Sequence, residues 1–397
     1  MMIRLKWYTA GESHGKGLVG ILEGMPSNVP ISIEAINREL ARRQQGYGRG
    51  GRMRIEKDQA EILSGIRFGK TLGSPISVFI ENRDFKNWER VMPVEGRDEG
   101  LKRVSIPRPG HADLAGALKY RQADIRNILE RASARETTAR VALGAIARQF
   151  LQQLGIGIAS HVVQMVDVRS KYSLVQYEGE NLGFALSELN ERADRSPVRC
   201  LDAEAEQQMI DRIDRAKKEK DTVGGIFEVV AFNVPVGLGS HVHWERRLDA
   251  RLAAAMMSIQ AMKAVEIGDG VGGACRFGSQ VHDEIYYDGR KRAFYRKRNC
   301  AGGIEGGISN GMPIVVRVAM KPISTLMRPL KSVDLQTKEP VAAHRERSDV
   351  CALPAASIIG EAMMALVLAD AVLEKFGGDA FEEIKERVDA WNEYLQS

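Results

Sequence analysis

The string Gly20-Ile21-Leu22-Glu23, followed by Asn28-Val29-Pro30, recurs in the same register as Gly225-Ile226-Phe227-Glu228 followed by Asn233-Val234-Pro235. A second string, Gly73-Ser74-Pro75-Ile76-Ser77-Val78, returns in the same order as Gly311-Met312-Pro313-Ile314-Val315-Val316. Two matches in one order predict a duplicated unit, with related halves over about 1–154 and 222–376 inside one compact domain of 397 residues. Each half then holds apolar strands bounded by Gly and Pro, followed by a long helical stretch.

The intervening segments fit that plan. Residues 1–10 alternate apolar and polar side chains and read as a strand, not as a signal peptide. Ile33, Ile36, Leu40 and Ala41 have helical spacing, with Ser32 placed to cap. Residues 76–80 form an apolar run of strand length. The stretch 115–154 lacks Pro and predicts a mostly continuous helix, as does the Ala/Met-rich stretch 249–267. Residues 270–298 read as a loop or hairpin. The apolar stretch 354–376 is interrupted by Glu361, Asp370 and Glu374, which favours a buried helix over a membrane span. The fold class expected is α+β, helices packed with antiparallel sheets. Four cysteines without any C-x-x-C pair argue against a disulfide framework or zinc site and fit a reducing cytoplasm.

Charge is informative by position. The net charge is only +5, yet residues 38–54 hold six arginines and one acid among glycines. Such concentration points to an anionic partner. Two P-loop look-alikes, at 11–17 and 65–71, have three residues between their glycines where the motif has four. Gly268 to Gly273 follows a helical stretch, whereas a dinucleotide fingerprint follows a strand. His241 and His243 share one face at strand spacing, but no acid or cysteine cluster lies nearby to complete a site, so no metal site is expected. More pointed are Gly11-Glu12-Ser13-His14-Gly15 and Arg108-Pro109-Gly110-His111-Ala112-Asp113. Two histidines held in tight turns, in a chain with seven, suggest a pair of proton-transfer groups. Arg131-Ala132-Ser133-Ala134-Arg135-Glu136-Thr137 fits either a solvated helix face or an anion site.

Together these segments resemble the chorismate synthase family. The resemblance rests on YTAGESHG (8–15), RRQQGYGRGGRM (42–53), RPGHAD (108–113), RASARET (131–137), VEIGDG (265–270), GGISNG (306–311), KPIST (321–325) and RSDVCALPA (347–355), in the family's order over nearly the whole chain. The commoner family form has Ser where Ala132 stands. The resemblance implies a β-α-β sandwich of two pseudo-symmetric halves, a cytoplasmic homotetramer and a small-molecule substrate, with no membrane or nucleic-acid partner. It implies anti-1,4-elimination of phosphate from 5-enolpyruvylshikimate-3-phosphate, with reduced FMN required and NADPH entering only as an external reductant.

By the same resemblance, Arg131, Ala132, Ser133, Gln260, Ala261, Gly306, Lys321, Pro322, Ile323, Ser324, Thr325 and Arg347 match FMN contacts. Arg43 and Arg49 would hold either the substrate phosphate or that of NADP, with Ser13, Arg52 and Arg135 on the substrate. His14 is expected as general acid toward the departing phosphate, His111 beside the flavin, and Asp349 as the carboxylate accepting a proton. Arg42 is expected in the same anion-neutralising cluster. Two rival readings remain at this point: an NAD(P)H-dependent flavin reductase, and a nucleic-acid-binding protein using the Arg/Gly loop. The second lacks interleaved aromatics, since Tyr47 stands alone among the arginines.

Overall fold

The computed structural model describes residues 4–51, 56–96, 100–176, 183–344 and 348–397. One sheet holds β1 (Lys6–Ala10), β2 (Gly17–Glu23), β3 (Glu61–Ser64) and β4 (Ile76–Glu81), side by side as β1-β2-β4-β3. The second holds β5 (Gly157–Met165), β6 (Val168–Arg169), β7 (Gly225–Phe232), β8 (Met262–Ile267) and β9 (Ile314–Met320), in the order β8-β9-β7-β5-β6. Every pairing in both sheets is antiparallel. With its helices segregated from the strands, the fold is α+β.

Both copies of the first repeated string become central strands, β2 and β7. Each is followed by an asparagine in the left-handed region, Asn28 at φ 66° and Asn233 at φ 58°. Asparagine tolerates that conformation better than most residues. Each strand pairs with the strand of the second string, β4 or β9. The registers differ, however. Leu22 faces Ile76, whereas Ile314 faces Ala231, four residues past Phe227, the counterpart of Leu22. Local backbone geometry recurs in the two copies; the pairing offset does not.

The helices α1 (Ile33–Gln44), α2 (Arg126–Ala132), α3 (Thr137–Gln153), α4 (Leu248–Met257) and α5 (Leu353–Phe376) complete the frame. Ser32 caps α1 by accepting the Ala35 N–H at 3.1 Å. Pro354 lies in the first turn of α5, and Gly377 at φ 64° follows its end. Helix α3 packs on the first sheet, α5 on the second, and the two lie against each other between the sheets. Glycines set that spacing. A Cβ on Gly20 would lie 3.0 Å from Leu143, one on Gly144 2.4 Å from the Ala362 Cβ, and one on Gly360 2.8 Å from Val229. Helix α5 is long and apolar enough to cross a membrane, but 94% of its most apolar window is buried within the protein. It is the central core helix.

Two expected helices are broken. The stretch 115–154 is interrupted at Arg121, at φ 53°, and at Ser133, which is extended with ψ 142° between α2 and a short turn leading to α3. The stretch 249–267 stops being helical at Met257, and residues 262–267 form β8, paired along β9. Strand pairing by Val265 and Ile267 overrides the helical preference of the Ala/Met segment. Residues 286–295 form the expected hairpin.

Candidate active site

A cavity of about 850 Å³ opens where α3 and α5 begin. His14, His111 and Asp349, drawn from three distant turns, all line it. Positive ends of two helices face this space, which favours anions there.

His14 is the most closely held of the three. Its backbone N–H donates to Glu130 Oε2 at 2.8 Å, and its ring Nδ1 lies 2.9 Å from both oxygens of that carboxylate. The Ser13 N–H donates to the Glu130 carbonyl at 3.1 Å. On the other side of the loop, Asn82 Nδ2 donates to the carbonyls of Glu12 and Gly15. The imidazole stacks on Trp88, with centroids 3.9 Å apart.

His111 has a different partner set. Its Nδ1 lies 2.5 Å from Asp113 Oδ1, and the Arg108 Nη2 sits 3.1 Å from the same ring nitrogen. Arg108 also donates through Nε to Asp113 Oδ2 and through Nη1 to Thr325 Oγ1. Burial alone would raise the Asp113 carboxyl, but hydrogen bonds from His111 and Arg108 hold it well below the usual carboxylate range. Asp349 is engaged by Arg49, 3.1 Å from its Nη1, and by the Gly50 N–H at 2.6 Å.

Arg43, Arg49 and Arg135 also line the cavity. Arg43 donates to Thr137 Oγ1 and the Ala134 carbonyl, and Arg135 to Asp58 Oδ1 at 2.6 Å and Asn82 Oδ1 at 2.9 Å. Arg43 Nη1 and Arg135 Nη2 are buried without a hydrogen-bond acceptor among the described residues. Burial pushes Arg43 down to about 9, with Arg49 and Arg135 adding to the effect and Asp58 only partly offsetting it. An anion entering the cavity would relieve this arrangement.

Arg42 departs from expectation. It turns away from the cavity, donating to Glu361, Glu39 and Asp194. Consecutive helical residues point about 100° apart, so Arg42 and Arg43 cannot share one site. The Arg/Gly loop therefore presents no continuous basic stripe from these two residues.

Of the residues matched to FMN contacts, Ala132, Ser133, Gln260, Ala261, Lys321, Ile323, Ser324 and Thr325 line the cavity, as does Ser13. Arg131, Pro322 and Gly306 do not. Arg131 reaches back to the carbonyls of Thr9 and Gly11, while Pro322 and Gly306 face outward. Arg52 and Arg347 lie outside the described residues. Lys321 donates to the Gly110 carbonyl, and burial with Lys263 nearby pushes its amine below the usual value.

The remaining wall suits a flat, partly apolar ring system with polar edges. Ala355, Ala356, Ile259 and Ile359 supply apolar surface, while Gln260 donates through Nε2 to Glu136 and leaves its buried Oε1 without a donor among the described residues. An orphaned acceptor beside small side chains fits a ring that carries N–H groups. Asn82, Glu130 and Trp88 join the site without having been singled out in the sequence, and Arg108 and Asp113 join it from the ends of the RPGHAD motif without a role having been read for them.

An enzyme cavity with paired histidines, anion-seeking arginines and room for a flat cofactor defines the class. The family model described as chorismate synthase matches residues 5–373. A chorismate synthase from Aquifex aeolicus (strain VF5) is 56% identical, covering 99% of this chain and 98% of that protein. One from Syntrophotalea carbinolica is 56% identical over the full length of both. A crystal structure of a chorismate synthase, 47% identical, superposes with a TM-score of 0.79 over 99% of this chain and 98% of that one. The chain belongs to the chorismate synthase family. It is a carbon–oxygen lyase of the shikimate pathway, forming chorismate from 5-enolpyruvylshikimate-3-phosphate.

Proposed function

We propose that the cavity carries out anti-1,4-elimination of phosphate with reduced FMN as its resident cofactor, and that the residues divide the work as follows. Ala132, Ser133, Gln260, Ala261, Lys321, Ile323, Ser324 and Thr325 hold the flavin, with the unpaired Gln260 Oε1 accepting from its ring. When bound, reduced flavin supplies electron density that assists phosphate departure and a place for the hydrogen removed. Arg43, Arg49 and Arg135, with Ser13, bind the anionic substrate. Arginine suits this because its planar fork pairs with phosphate and carboxylate oxygens without losing charge. His14 donates a proton from Nε2 to the leaving phosphate. His111, tethered to Asp113, holds a proton at the opposite polar edge, and Asp349 Oδ2 is the carboxylate that accepts one.

The observation that carries this reading is the convergence of His14, His111, Asp349 and three arginines on one cavity. The two turns each follow a repeated Gly-x-Pro-Ile strand, which fits descent from two related halves, although the helix after His111 is the short Asp113–Tyr120 and the one after Asp349 is the long α5. The reading extends to a homotetramer in the cytoplasm that obtains its reduced flavin elsewhere. The test is an anaerobic assay with chemically reduced FMN. Phosphate should appear only with reduced flavin and without stoichiometric reductant consumption. Turnover with oxidised FMN, or one NADPH oxidised per product, would overturn the assignment.

A further inference from the structure

We propose that Glu130 is the positioning residue of His14, fixing which ring nitrogen faces the substrate. This rests on the reading of His14 as the proton donor. Glu130 is almost wholly buried, its side chain 1% exposed. A carboxylate in such a place is costly unless its oxygens are bonded. Here they are bonded chiefly to one residue. Oε2 accepts the His14 backbone N–H, both oxygens face His14 Nδ1 at 2.9 Å, and the Glu130 carbonyl accepts the Ser13 N–H. Loop and ring are thus clamped by the same side chain and its own peptide.

Two further groups make the clamp rigid. Arg126, one turn earlier on α2, donates to Glu130 Oε1 at 3.0 Å and keeps the carboxylate from rotating. Trp88 stacks on the imidazole at an interplanar angle of 28°, and the Arg126 guanidinium lies 5.0 Å from the Trp88 ring. The segment that bears Trp88 also brings Asp84 to the cavity. An ionised carboxylate can only accept, so Nδ1 carries a hydrogen, and the proton that the ring gives up as a general acid is the one on Nε2. The negative charge of Glu130 also compensates the ring while both nitrogens are protonated. His111 also has a carboxylate, Asp113, against its Nδ1, but there the Arg108 Nη2 donor lies 3.1 Å from the same ring nitrogen, so the tautomer is not fixed in the same way.

The experiment is a double-mutant cycle with Glu130→Gln and His14→Ala, joined to ¹⁵N NMR of the histidine rings in the full chain. Glu130→Gln should lower kcat by about 10-fold or more while leaving the FMN affinity unchanged. In the His14→Ala background the same change should alter kcat by less than about 2-fold, because coupled residues are not additive. The NMR spectrum should show His14 protonated at Nδ1 in the parent and losing that preference in the variant. Glu130→Asp, which withdraws the carboxylate by one methylene, serves as the second variant should Glu130→Gln fail to fold. Full activity in the variant, an equal loss in both backgrounds, or an unprotonated Nδ1 in the parent would each overturn the proposal. If the parent releases no phosphate, the reaction assignment fails, and the NMR measurement still decides the role of Glu130.

Discussion

Arg42 and Arg43 are neighbours on α1, yet they belong to two buried charge clusters of opposite character. Arg42 joins Arg148 and Arg199 around the Glu361 carboxylate, which also accepts from Ser160 and Asn190. Burial opposes the charge on Arg42, but Glu361 and Glu39 outweigh it and raise the guanidinium above its usual value. Arg43 is shifted the other way. Its cluster borders the cavity, with Asp58 3.9 Å from the Arg43 Nη1 and Glu56 3.7 Å from the Arg135 Nη2, whereas the Glu361 cluster lies in the interface of α1, α5 and β5. A cluster whose carboxylate collects the surrounding cations holds the fold together. One that borders the cavity is where the proposed anionic substrate would bind.

The contrast can be broken most forcefully at its centre. Glu361→Gln should cost about 3–5 kcal/mol, since three arginines lose their buried partner. Burial alone would raise the Glu361 carboxyl, but Arg42, Arg148 and Arg199 hold it far below the ordinary range. A lowered folded-state value means that its stabilisation is present above the unfolded value, near about 4.3, and is lost as pH falls below it. Denaturant titrations between pH 7 and pH 3 should therefore show a flatter acid limb in Glu361→Gln. An unchanged limb would mean that other carboxylates govern acid unfolding.

A smaller difference separates the neighbours. Arg42→Met should destabilise by about 1.5–3 kcal/mol, and Arg43→Met by about 1 kcal/mol or less, on the usual scale for charged and neutral hydrogen bonds. Equal losses would dissolve the distinction. Smallest is the response to a simple anion. Sulfate at a concentration equal to its Kd should stabilise the parent by about 0.4 kcal/mol, read as a rise in Tm. Arg49→Ala should abolish that rise. The same rise in both proteins would place the anion elsewhere.

Much of this was legible in the sequence, and the residues show where legibility stops. His14 and His111 stood out because glycine and proline turns are poor places for an idle imidazole. Asp349 came through its motif. Arg42 was misread because charge was counted along the chain, whereas adjacent helical residues diverge in space. Arg131 and Arg135 have the spacing of one helix face, but extended Ser133 lies between them and sends Arg131 to β1 and Arg135 to the cavity. Glu130 carried only a local signal, its spacing of four from Arg126. Its bond to His14 spans a sequence separation of 116, which no periodicity reports. Strand β8 was hidden for the same reason, its partner lying about fifty residues downstream.

The glycines between the sheets have a mechanical consequence. Gly144 meets the methyl group and backbone of Ala362, so only one methyl group separates α3 from α5 at that point. Sliding one helix along the other would have to lift it outward against both sheets. The two helices whose first turns border the cavity are therefore held at a fixed spacing. Any accommodation of substrate and product would then fall to the turns of His14, His111 and Gly50, which also line the cavity.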